Sequence, residues 1–221
     1  MLEKVLQGSK QGDYTRQVVS GRQIRYVDWL IPGVIGMNMM FSALYGVGYV
    51  IVRYRKNGVL KRLKATPLSA IEFLTAQVFS RLWLIIAVAM VVFFGTNLFV
   101  DFAMYGSYLT LFLVFAVGAF CMISMGLVVA ARLASEELAE GLLNLISWPM
   151  MFLSGVWFSL EGANPLVQQF ANLFPLTHMI AAARAVMFDG ATLAGVTPQL
   201  LLLAAMSAVF LALGAMLFRW E

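Results

Sequence analysis

Long apolar runs separated by short polar breaks dominate the chain from residue 29 onward. Five of these runs reach the roughly 20 residues that a helix needs to cross hydrocarbon. They occupy residues 29–52, 73–100, 105–131, 142–160 and 198–218. All five are expected as helices, because unpaired backbone is too costly in lipid. Residues 1–28 are polar, contain Gly8, Gly12 and Gly21, and read as an extracytoplasmic, water-exposed segment. A sixth apolar stretch, 166–188, is interrupted by Gln168, Gln169, Asn172, Pro175, His178 and Arg184. Pro165 and Pro175 divide it into pieces of about ten residues, each too short to span. The preferred reading is two short helices that dip into the outer leaflet and return, within a re-entrant region 161–190. A sixth true span is the competing reading. The fold class expected is an all-α membrane protein with about five transmembrane helices.

Composition points the same way. The 221 residues are 62% apolar and 12% charged, against about 45–50% and 25% in a soluble domain. A soluble fold of this length cannot hide that much apolar surface. The net charge of +4 says less than its placement. Of fifteen Lys and Arg, five lie in residues 1–28 and six in residues 53–64. Such clustering fits a stretch beside a membrane and argues against nucleic acid as a partner. A loop with six bases and no acid should be cytoplasmic. The turn near Asp101 is then outside, Arg132 and Arg219 are inside, and the N-terminus is outside. The five bases in that outer segment oppose this orientation, and a further span upstream would relieve the conflict. The polar start offers no cleavable signal peptide, so the first apolar run is expected to direct insertion. Cys121 is the one cysteine, which excludes an intrachain disulfide, and no cluster has metal-ligand spacing.

The basic loop, residues 53–69, reads RYRKNGVLKRLKATPLS. Asn57-Gly58 marks a turn. Val59, Leu60 and Leu63 share one side of a short helix, with Lys61, Arg62 and Lys64 on the other. Pro67 should stop that helix, because the residues before it favour extended backbone. A helix tied between two spans can serve as a mechanical handle. The plainer reading is a basic loop resting on lipid headgroups.

This loop resembles the coupling helix of type-2 ATP-binding-cassette (ABC) exporter permeases. Arg53, Gly58, Leu60, Leu63, Ala65, Thr66, Pro67 and Ser69 match its pattern. Many members carry acids just before the glycine and within the helix, where this chain has Lys56 and Lys61. A permease-to-ATPase salt bridge from those acids therefore does not carry over, and the partner surface should be acidic instead. Asp28-Trp29-Leu30-Ile31-Pro32-Gly33, followed by Met37, Asn38 and Met39, is similar to the family's approach to the span before the coupling helix. The run through Pro149, Leu153-Ser154-Gly155, Asn164-Pro165, Phe174-Pro175-Leu176-Thr177, Arg184 and Gly190 is similar to its C-terminal pattern, which carries the re-entrant outer helices. The likeness covers residues 26–221. Family members usually have six spans, so the first is expected to be absent from this chain.

The resemblance implies a permease domain over 29–221. Arg53, Arg55, Lys56, Gly58, Val59, Leu60, Lys61, Arg62, Leu63, Thr66 and Pro67 would couple to an ATPase. Pro149, Gly155, Pro165, Pro175 and Arg184 would form the outer gate. It also implies a separate ATP-binding subunit holding ATP and Mg, a second permease chain, surrounding lipids, and a multi-pass place in a bacterial inner (plasma) membrane.

Other residues divide between two readings. Arg81 sits about eight residues into the second run, where an ionisable group marks a pathway or snorkels to the interface. Glu72 reads as a helix-start anchor, and Glu136, Glu137 and Glu140 as a solvated face, with contact to an ATPase as the competing reading. His178 reads as structural, and Pro149 as a kink. Ser42 and Gly46 form a small-xxx-small face suited to close helix packing. No G-x-x-x-x-G-K-[ST] loop, G-x-S-x-G elbow or H-E-x-x-H pair is present. The leading function is therefore a non-enzymatic exporter subunit. A membrane enzyme acting on lipids and a non-catalytic scaffold are the alternatives.

Overall fold

The computed structural model describes residues 25–217 apart from Ala134 and Glu161. The expectations for residues 1–24 and for Arg219 lie outside the described residues. The chain is an all-α membrane protein. Among the described residues its helices are α1 (Tyr26–Ala43), a π-helical segment (Leu44–Tyr49), α2 (Val50–Lys56), α3 (Val59–Lys64), α4 (Ala70–Val100), α5 (Tyr108–Ala130), α6 (Glu136–Leu153), α7 (Pro165–Ala171), α8 (Pro175–Asp189) and α9 (Leu193–Leu217).

Four helical stretches are long and apolar enough to cross a membrane: Tyr26–Lys56, Glu72–Val100, Tyr108–Ala130 and Leu193–Leu217. They correspond to the first, second, third and fifth expected runs. The fourth differs. The helix there starts at Glu136 and stops at Leu153, where Gly155 adopts a left-handed φ of +73°. Its first turns hold three acids, Glu136, Glu137 and Glu140, and the apolar residues beyond Leu153 lie in turns and loop. Among the described residues four helical stretches thus meet the length and apolarity of a span, and the fourth expected run holds an acid-tipped helix of 18 residues.

Contacts fix the relative direction of each element. Arg25 donates to the carbonyls of Val100 (3.2 Å) and Asp101 (2.9 Å), tying the start of α1 to the end of α4. Arg55 donates to Ala130 and Ala131, tying the end of α2 to the end of α5. Tyr26 donates to Trp157 just past α6, while Glu136 at its start accepts from Tyr49. The basic loop and residues 131–136 therefore share one end of the bundle. Arg25, Asp101, Trp157 and Gly190 mark the other, since a Cβ on Gly190 would touch Tyr105. α5 is the most enclosed of the four long stretches, whereas α4 and α9 leave most of their apolar surface exposed. An apolar face turned outward is stable where the solvent is lipid.

The helix pair α7–α8, a hairpin in chain order, sets the start of α8 against α1 and α5. Met179, Leu176 and Ile180, early in α8, surround Gly36 of α1, and Met179 also packs on Gly118 of α5. From that depth α8 runs back toward Gly190. Asn164 caps α7 by accepting from the Leu166 amide, and prolines open both helices at positions that need no donor. His178 donates from Nε2 to the Asn172 carbonyl at 2.8 Å, closing the bend as a structural histidine.

Small residues set the close helix approaches, but not at the expected pair. A Cβ on Gly33 would stand 2.9 Å from the Val156 carbonyl oxygen, and one on Gly48 would stand 3.2 Å from that of Gly126. Ser42 is exposed, and Gly46 faces the Arg81 guanidinium instead of a helix backbone. The i, i+4 spacing of Ser42 and Gly46 assumed a regular α-helix, and the π-helical segment begins between them.

Candidate functional site: the basic loop and the opposite hairpin

The basic loop is a rigid corner. Arg53, Arg55 and Lys56 close α2 and suit its negative carbonyl end. Asn57 ends that helix, and Gly58 turns the chain at φ +70° with open space around it, so glycine is there for its backbone and not for close packing. The six-residue α3 follows. Leu60 is fully buried, and Val59 and Leu63 are half-buried. Lys61, Arg62 and Lys64 are exposed. The helix ends at Lys64, and Ala65 keeps helical dihedrals, so it is not extended as its place ahead of Pro67 predicts. Thr66 instead donates its hydroxyl to the Leu63 carbonyl at 2.6 Å. Thr66 and Pro67 are exposed. Ser69 and Glu72 then form a reciprocal capping box at the start of α4, so Glu72 does anchor a helix start.

The bases of this loop do not behave alike. Arg55 is buried, at 8% exposure, and donates to the carbonyls of Ala130 (2.9 Å), Ala131 (3.1 Å) and Leu133. It holds the loop to the bundle. Lys56 pairs with Glu136 at 3.5 Å, and Tyr49 donates to the same carboxylate at 2.7 Å. Tyr49, Lys56 and, at longer range, Arg53 hold Glu136 below the usual carboxylate range. The Ser135 hydroxyl does the same for Glu137. One residue of the acidic stretch is thus an internal partner, while Glu137 and Glu140 remain exposed. Glu136 was legible only as part of a charged run, because its partner lies 80 residues away.

At the opposite end, Arg184 of α8 lies over the Trp29 ring with Cζ 3.5 Å from the centroid. It donates to the Gly155 carbonyl at 2.8 Å and to that of Trp29 at 3.3 Å. Gly155 and Arg184 therefore meet, and Pro165 and Pro175 start the two helices beside them. Pro149 is inside α6, away from this contact. Arg81 on α4 borders an open groove of about 510 Å³ with Ser42, Tyr45 and Gly46.

The family model for ABC-2 type transporters matches residues 5–188, which include both the basic loop and the hairpin. The chain belongs to the ABC-2 type transporter family. It is 25% identical over 188 residues to the inner membrane transport permease YhhJ of Escherichia coli (strain K12), covering 82% of this chain and 49% of that protein. The permease of the same name in Shigella flexneri shows the same figures. The chain spans about half the length of the curated relatives it matches. In this ABC-2 chain the loop and the hairpin occupy opposite ends of one helical bundle.

Proposed function

We propose that this chain is the membrane subunit of an ATP-driven exporter, with α3 as the handle worked by a separate ATPase. One observation carries the reading. α3 buries Leu60 while presenting Lys61, Arg62 and Lys64 outward, between two long apolar helices. Arg55 and the capping box at Ser69 fix both ends of this corner, so a force on α3 reaches the helices before and after it. The matching ATPase surface is acidic, and ATP and Mg belong to that partner. A second permease chain lies against exposed apolar helix surface, and the translocation path runs between the two chains in an inner membrane. Free energy enters through the different affinities of the ATPase for ATP in two conformations.

The test is co-purification of the ATPase with the wild-type chain and with the double variant K61E/R62E. Loss of the ATPase, and of ATP-dependent export from vesicles, with normal levels of the variant is the expected outcome. Equal recovery of the ATPase with both chains would remove α3 from the interface. Absence of any ATPase from the wild-type complex would remove the exporter reading itself.

A further inference from the structure

The hairpin borders an open site that the handle does not use. Between the α6–α7 connection, α7 and α8 lies a cavity of about 250 Å³, bordered by Ser154, Gly155, Gln168, Asn172, Thr177 and Arg184. Its cationic wall is preorganised. Stacking on Trp29 and the bonds to the Gly155 and Trp29 carbonyls hold the guanidinium plane in place. Those bonds engage two of its five N–H donors. Among the described residues no carboxylate pairs with Arg184, although Arg25 has Asp28 and Lys56 has Glu136. A cation withdrawn from water calls for a counter-charge.

The rest of the wall suits the same ligand. Gln168 directs its amide N–H groups to the Leu160 and Ala163 carbonyls. The exposed Asn172 side chain makes no hydrogen bond among the described residues, so its amide donor is available. A guanidinium fork matches the oxygens of phosphate in shape and charge. The cavity is below the about 300–1,000 Å³ of sites for drug-sized molecules, and a headgroup fits it better. Leu166 and Phe170 on α7 and Leu173 in the turn after it are exposed, an apolar track suited to acyl chains.

We propose that this cavity binds a phosphoryl oxyanion, held by the free N–H donors of Arg184 and the Asn172 amide. The inference stands apart from the exporter reading, because its test measures binding and not transport. The purified full chain, with any subunit that accompanies it, is titrated with phosphatidylglycerol and followed by native mass spectrometry. A parallel sample is dialysed against labelled inorganic phosphate. Asn172→Asp places a negative charge at the rim without touching the Arg184 contacts. Arg132→Gln, at the opposite end, controls for overall charge. Wild type and Arg132→Gln should retain one phosphatidylglycerol that Asn172→Asp binds at least about tenfold more weakly. Binding of inorganic phosphate alone, with the same sensitivity to Asn172→Asp, would support the site and assign it to a soluble anion. Equal retention by wild type and Asn172→Asp, or no binding of either ligand, would overturn it.

Discussion

Gly58 and Leu60, two residues apart, do different jobs, and substitution separates them. A β-branched residue at Gly58 meets no neighbour but must sit in the left-handed region, at about 1–2 kcal/mol. Gly58→Val should therefore lower the thermal midpoint in detergent, and Gly58→Asn should lower it less, since asparagine tolerates that region. Leu60→Ala removes a fully buried side chain and should destabilise the protein by about 2–5 kcal/mol. Lys61→Ala, on the exposed side of the same helix, should stay within about 0.5 kcal/mol. Similar midpoints for Leu60→Ala and Lys61→Ala would contradict the assignment of inner and outer faces. The alternation of leucine and lysine in residues 59–64 made those faces legible in the sequence. Which base turns inward was not legible: Arg53, Arg55 and Lys56 are equivalent by composition, and Arg55 is selected by the carbonyls of α5, some 75 residues away.

Individual helices show where local pattern suffices and where it fails. The second, third and fifth runs were readable because nothing in them but lipid-compatible length decides the outcome. The fourth run continued to residue 160 on apolar content, yet its helix ends at Leu153. The αL turn at Gly155 and the contact of its carbonyl with Arg184 compete successfully with helix there. Two predictions belong at this level. Arg55→Leu strips charged donors from the carbonyls that close α5, and charged hydrogen bonds contribute about 1.5–3 kcal/mol each. Hydrogen exchange at residues 128–133 should rise, with a fall in midpoint, while α9 is unaffected. The second concerns pH. Glu136 has a folded pKa lowered by Tyr49 and Lys56, so its tie to α2 is fully present above the ordinary glutamate value of about 4.3. That contribution is lost as pH falls through the lower folded value. The midpoint difference between wild type and Glu136→Gln should hold from neutral pH to about 5 and close toward zero in stronger acid. A difference that persists unchanged in acid would exclude the carboxylate as its source.

Across the whole molecule, the ends of the bundle are sorted by chemistry. The basic loop, the acidic start of α6 and the end of α9 lie together, and the hairpin lies opposite. Cysteines placed at Asn57 and Ser107 should accordingly react with impermeant reagents from opposite sides of a membrane. Background is low because the native Cys121 is buried. The loop's charge predicts that Asn57 is reached from the cytoplasm; labelling of both positions from one side would break the bundle order.

The π-helical segment has one more effect. Buried positions step by four from Met39 and Ala43 through Val47 and Ile51 to Arg55. An unbroken α-helix rotates about 100° per residue, hence about 40° beyond a full turn at each such step and about 160° over the four. Only residues 44–49 are widened, and a π turn takes up one extra residue, so in a regular helix Arg55 would be turned by about 100° from the α5 carbonyls and α3 would leave the bundle on another bearing. The wide turn acts as a phase corrector: it aims the basic corner, and a single-residue deletion within 44–49 would swing that corner aside while leaving every charge in place.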